Sequence, residues 1–182
     1  MSSGSTELRV RALTGVGIVA LILGAILLGP WAYWPFLLIV WCIGARELSL
    51  AWRLMPPFHR AVPIGFAAQC LLMLAFGALA AMSWTQGAYD FWAPLGWFAL
   101  MWSNDTGAYL VGRSFGRHPL APSVSPKKTW EGWGGGAVVA LLVGGLLQHK
   151  LGSPGSGHWV VLAALVSVFG PLGDLLESLL KR

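Results

Sequence analysis

Apolar runs of bilayer-spanning length recur from one end of this chain to the other, and they limit its fold more than any other feature. A helix needs about 20 apolar residues to cross the hydrocarbon core of a membrane. Candidate spans lie at Val10 to Leu28, Trp34 to Trp52, Ala61 to Trp84, Phe91 to Trp102, Trp133 to Leu147 and Trp159 to Leu180. Hydrophobic residues make up 56% of the chain and charged residues only 10%, too little polar surface to cover a soluble globule. The expected fold is all-α: a polytopic membrane helical bundle of about six transmembrane helices, in a single membrane domain over residues 1–182. The first run could pass for a signal peptide, but Trp-Ala-Tyr-Trp at 31–34 stands where a small-residue cleavage site belongs, so it reads as a retained helix. The fourth run is short and is expected to tilt or re-enter.

Charge placement orients these spans, because cytoplasmic loops carry an excess of Lys and Arg. With the N-terminus inside, Arg9, Arg11, Arg53, Arg60 and the bases from Arg113 to Lys128 all fall inside, as do Lys181 and Arg182. The turns at 29–33 and 85–90 carry no base and fall outside; Lys150 is the exception. The expectation is an integral protein of the cell (inner) membrane with both termini cytoplasmic. The net charge of +5 is accordingly an orientation signal. No nucleic-acid partner is expected, since no basic stripe is interleaved with exposed aromatics.

One long polar passage, Ser103 to Gly132, interrupts the apolar pattern. Its bases Arg113, Arg117, Lys127 and Lys128 could simply mark the cytoplasmic side or hold anionic headgroups. Two details point further. Asn104 and Asp105 end an apolar run, where a carboxylate needs a partner or a water-filled cavity. Ser125-Pro126-Lys127-Lys128-Thr129 reads as a turn stiffened by Pro126, and it packs hydroxyls and ammoniums suited to phosphate oxygens. It is not a Walker loop, for the preceding GxxxxG is absent.

At the C-terminal end, Asp174, Glu177, Ser178 and Lys181 stand at i, i+3, i+4 and i+7 and so share one helix face. The plain reading is an amphipathic helix end with a Glu177–Lys181 pair. Gly170, Pro171 and Gly173 are positioned to break the span just before Asp174, however, and a broken helix presenting carboxylates at membrane depth builds ion and substrate sites. Elsewhere, Arg46 and Glu47 read as a structural ion pair, and the scattered histidines lack metal-ligand spacing. Gly132, Gly136, Gly144 and Gly145 read as close helix contacts, within the chain or between the subunits of a homodimer.

The segments NDTGAYLVGRSFGRHPLAPSVSPKKTWEG and GDLLESLLKR, in this order and one span apart, resemble the phosphatidate cytidylyltransferase family, the CDP-diacylglycerol synthases. The resemblance implies a polytopic membrane enzyme that condenses CTP with phosphatidic acid at the bilayer, requires Mg2+ and releases pyrophosphate. It makes Asp174 the metal-binding aspartate and Lys181 a catalytic basic position. Asp105, Arg113, Ser125, Lys127, Lys128 and Thr129 become candidates for nucleotide or phosphatidate contacts. The family pattern continues with a Lys-Asp pair, a His-Gly-Gly loop and an Asp-Arg-x-Asp element, which supply further metal carboxylates. This chain stops at Arg182 before them, so it is expected to be the N-terminal part of such an enzyme and inactive alone, unless Asp105 or Glu131 completes the metal site. The rival readings are a CTP-dependent lipid kinase and a non-catalytic transporter or structural membrane protein.

Overall fold

The structure, a computed structural model, describes residues 3–54, 62–85, 87–152 and 158–180. The chain forms two compact units, Met1–Phe91 and Trp92–Arg182. Helix dominates both.

The first unit holds α1 (Ser3–Leu27), α2 (Pro30–Leu54) and α3 (Val62–Met82), then a minimal hairpin of β1 (Trp84–Thr85) and β2 (Ala88–Tyr89). Gly29, with φ +94°, makes the reversal between α1 and α2, a backbone conformation that side chains with a Cβ resist. Pro30 follows as the first residue of α2, where its missing N–H costs nothing. Tyr33 is fully buried, and the Tyr89 hydroxyl donates to the Ile26 carbonyl at 2.8 Å, tying the hairpin to the end of α1. Arg46 and Glu47 are both exposed and form no ion pair with each other, so the pairing expected from sequence is absent. As neighbours i and i+1 on a helix they do not face one another.

The second unit holds α4 (Trp92–Phe115), a hairpin of β3 (Pro119–Ala121) and β4 (Ser125–Thr129), α5 (Trp130–Leu151) and α6 (Trp159–Leu180). Three sequence expectations change here. Helix α4 does not end at Trp102 but runs on through the polar passage to Phe115. Asn104, Gly107, Ala108 and Val111, at helical spacing, lie against glycines and Val139 of α5; a Cβ on Gly135 would fall 2.4 Å from the Val111 Cβ, and one on Gly136 would fall 2.6 Å from the Asn104 carbonyl oxygen. Packing against the bare α5 backbone holds as helix what composition suggested was loop.

The expected turn at Ser125 to Thr129 is strand β4, antiparallel to β3 with Pro119 opposite Thr129 and Ala121 opposite Ser125. Pro126 is tolerated because the two-stranded ribbon leaves β4 an open edge. Helix α6 is also unbroken through Pro171. Proline at 171 removes the N–H that would bond the Ser167 carbonyl, but the Trp133 indole N–H donates to that carbonyl at 2.7 Å. The freed acceptor is satisfied from α5 and the helix carries on.

Of the glycines expected at helix contacts, Gly132, Gly136 and Gly144 are in close contact within the chain, while a Cβ on Gly145 would meet nothing within 4 Å. The outer surfaces are strongly apolar. Leu13, Val16 and Leu21 of α1, Leu38, Ile39 and Ile43 of α2, Val138, Leu142 and Leu146 of α5 and Phe169 of α6 are all exposed. Among the described residues two helices, Pro30–Leu50 and Trp130–Leu151, are long and apolar enough to cross a membrane; Ala12–Leu27, Gln69–Met82 and Trp159–Leu175 are shorter apolar stretches. Apolar surface on this scale is that of a membrane protein, not of a soluble monomer.

Candidate functional site

The polar residues that stood out in the sequence converge in the second unit. A cavity of about 520 Å³ opens between α4, the β3–β4 hairpin and the adjoining ends of α5 and α6. Asp105, Tyr109 and Arg113 of α4 line it, with Lys127, Lys128 and Thr129 of β4, Gly132 and Trp133 of α5, and Asp174 of α6. Asp105 and Asp174, distant in sequence, thus share one space. Ser125, at the far end of β4 opposite Ala121, is not among the lining residues. Lys181 lies outside the described residues.

The hairpin is fixed at its base. Thr129 is the N-cap of α5, its Oγ1 accepting from the Gly132 N–H at 3.1 Å, a capping pattern that satisfies one otherwise unpaired helix N–H. The role of Thr129 in this structure is therefore to start α5, whose positive end borders the cavity. Glu131, in the first turn, accepts from the N–H groups of Arg117 at 3.1 Å and His118 at 3.2 Å, and its other oxygen lies 2.5 Å from His118 Nδ1. The Trp130 N–H closes the same loop on the His118 carbonyl at 3.0 Å. Glu131 is thus a clamp for the loop after α4 and does not line the cavity as a carboxylate for metal.

Charge inside the cavity is mixed. Lys128 Nζ lies 2.8 Å from Asp174 Oδ2, with side-chain exposures of 28% and 60%; pairs this open to solvent contribute about 0.2–1 kcal/mol. The Arg113 guanidinium donates to the Tyr109 hydroxyl at 2.8 Å, which steers it along α4. Asp105 lies beyond the apolar run that ends at Trp102. It opens to the cavity that Asp174 and Lys128 also line.

Sequence reasoning noted Asn104 only as a polar neighbour and missed Trp133 altogether. Asn104 is buried, lines the cavity, and its side-chain oxygen has no hydrogen-bond partner. Pro171 four residues after Ser167 was a legible sign that a donor was required there, but nothing in one sequence says that Trp133 provides it. Among the described residues no three His, Cys, Asp or Glu side chains come together as a metal cluster. The carboxylates that line the cavity are those of Asp105 and Asp174.

A family model described as the cytidylyltransferase family matches residues 50–182. The chain is similar to the phosphatidate cytidylyltransferase of Bacillus subtilis strain 168, 48% identical over 84 residues that cover 46% of this chain and 31% of that protein. It is similar to that of Brucella suis biovar 1, 40% identical over 120 residues, 65% of this chain and 44% of the relative. With that of Haemophilus influenzae it shares 40% identity over 90 residues, 47% of this chain and 31% of the relative. The chain spans less than half the length of these relatives. No solved structure matches it.

Proposed function

The chain belongs to the cytidylyltransferase family, and from that premise we propose that its cavity is the phosphate-handling site of a phosphatidate cytidylyltransferase. In that reaction a phosphate oxygen of phosphatidate attacks the α-phosphorus of CTP, the bond to the β-phosphate oxygen breaks, and pyrophosphate leaves. The observation that carries the reading is the convergence of Arg113, Lys127 and Lys128 with Asp105 and Asp174 at the N-terminal end of α5. Arg113 and the two lysines offer donors to phosphate oxygens, and the α5 terminus adds its partial positive charge. Lys181 joins them through the family resemblance.

The donors also fit magnesium. Carboxylates are hard ligands, and Mg2+ takes one or two of them and completes its shell with water and substrate phosphates. Asp174 with Asp105 would hold the ion, which when bound would neutralise charge on the departing pyrophosphate. Two carboxylates that line one cavity repel each other, and a cation between them relieves that repulsion.

The remaining parts of the proposal follow from charge and apolarity. The chain has about six spans in the cell (inner) membrane, both termini and the hairpin are cytoplasmic, CTP enters from that side, and phosphatidate enters from the bilayer. Gly145, open on α5, leaves room for a second copy in a homodimer.

The test uses the purified protein in nanodiscs containing phosphatidate and diacylglycerol, whose free hydroxyl a kinase would phosphorylate, with magnesium and CTP labelled at the α- or the γ-phosphorus. Label reaching lipid from the α position supports cytidylyl transfer. Label from the γ position alone would make the protein a lipid kinase. Magnesium-dependent CTP binding without transfer keeps the site and assigns the missing chemistry to residues outside it, whereas no CTP binding at all would sink the reading.

A further inference from the structure

The Lys128–Asp174 contact raises a question of order. Asp174 is the carboxylate best placed for a divalent cation, yet its Oδ2 is held by an ammonium at 2.8 Å. Lysine and metal compete for the same oxygen and repel one another, so both cannot hold it at full strength.

We propose that the Lys128–Asp174 pair is a latch: it keeps Asp174 from a divalent cation that arrives alone, and a nucleotide phosphate opens it by drawing the Lys128 ammonium off the carboxylate. The proposal rests on the reading of the cavity as a nucleotide site and adds the sequence of events within it.

The local construction favours movement of the side chain alone. The backbone around Lys128 is anchored, on one side by the Thr129 cap on Gly132 and on the other by the pairing of β4 with β3. Glu131 fastens the loop beneath through Arg117 and His118. The lysine stem has four rotatable bonds and three donors at its end, so the ammonium can swing while the strand stays. A phosphate gathered by Arg113 and Lys127 would lie in the same cavity. Lys128 then exchanges one anion for another and loses no ion pairing, while Asp174 is released to the metal. A pair this exposed to solvent is held weakly, so a multiply charged phosphate suffices to break it. Linkage makes the effect reciprocal: nucleotide raises metal affinity by the factor that metal raises nucleotide affinity.

The experiment measures Mn2+ binding by electron paramagnetic resonance, on the full chain in nanodiscs of uncharged lipid, with and without CTP. Lys128→Met is expected to bind Mn2+ alone about two- to fivefold more tightly than the wild type. Lys127→Met removes the same charge from the same cavity without touching the pair, and is expected to change Mn2+ binding by less than about twofold. Lys128→Arg, which keeps a cation beside Asp174, should behave like the wild type. Saturating CTP should raise Mn2+ affinity more in the wild type than in Lys128→Met. Equal Mn2+ binding by the wild type and Lys128→Met, or equal gains in both methionine variants, with CTP binding by the wild type intact, would overturn the latch and leave the nucleotide site standing. Failure of every form to bind Mn2+ with CTP would overturn the site and the latch together.

Discussion

Asp105 shows what a charged residue costs in a chain this apolar. Its carboxylate shares one cavity with that of Asp174, and two like charges with no cation between them repel. Asp105→Asn imitates the protonated state permanently. Without metal, the variant is therefore expected to melt at a higher temperature than the wild type at neutral pH, with the gap closing as pH falls, and to bind Mn2+ more weakly. Thermal melts across pH check the first part. A variant that melts below the wild type at every pH would show that Asp105 is a structural carboxylate instead. Residues of this kind were legible in the sequence, because Asp105, Asp174, Arg113, Lys127 and Lys128 are charges in a chain that has few. Asn104 was less so, since its importance lies in an oxygen left without a partner across a helix interface, and partners are set by packing.

At the scale of elements, the chain's apolar runs fell where helices form, and the errors came where tertiary contacts outweigh local composition. The polar stretch after Trp102 stays helical because α5 offers a glycine face to it, and α6 passes Pro171 because Trp133 supplies the missing donor. Both explanations can be tested. Trp133→Phe keeps an aromatic ring but removes the indole N–H and leaves the Ser167 carbonyl unpaired, and should cost about 1–3 kcal/mol, read as a lower melting temperature. Gly136→Ala places a methyl 2.6 Å from the Asn104 carbonyl oxygen, whereas Gly134→Ala meets nothing within 4 Å. The first should destabilise by about 1–3 kcal/mol and the second should be neutral or stabilise by up to about 1 kcal/mol; equal effects would mean that α4 and α5 are not in backbone contact. Glu131→Ala would free the loop at Arg117 and His118 and is expected to weaken CTP binding without changing Mn2+ binding in its absence. The hairpin itself was illegible as strand, being short, polar and proline-bearing; its pairing is imposed by the α4 and α5 ends it connects.

For the whole molecule the deciding question is on which side of the membrane the cavity opens. Helix α4 has 24 residues, about 36 Å of rise at 1.5 Å per residue, enough to cross a hydrocarbon core of about 30 Å. Only its first part, to Trp102, is free of polar side chains, and Asn104, Asp105 and Arg113 follow within the same helix. If α4 spans, these groups sit toward its cytoplasmic end, with the bases of the hairpin beyond them, and the cavity lies at the depth where a lipid phosphate and a soluble nucleotide can both reach it. The bases make this the favoured direction, since Arg113, Arg117, Lys127 and Lys128 all follow α4's apolar run and none stands between Thr85 and Asp90. Single cysteines at Ala88 and Ser123 bracket α4 and sit on the two hairpins, in a background with Cys42 and Cys70 replaced. A membrane-impermeant maleimide applied to intact cells should label position 88 and leave position 123 unlabelled until the membrane is opened. Labelling of position 123 from outside would place the bases of the hairpin away from the CTP pool and defeat the proposed function. Protection of both positions would mean that α4 re-enters instead of spanning, leaving the cavity cytoplasmic but reducing the number of spans.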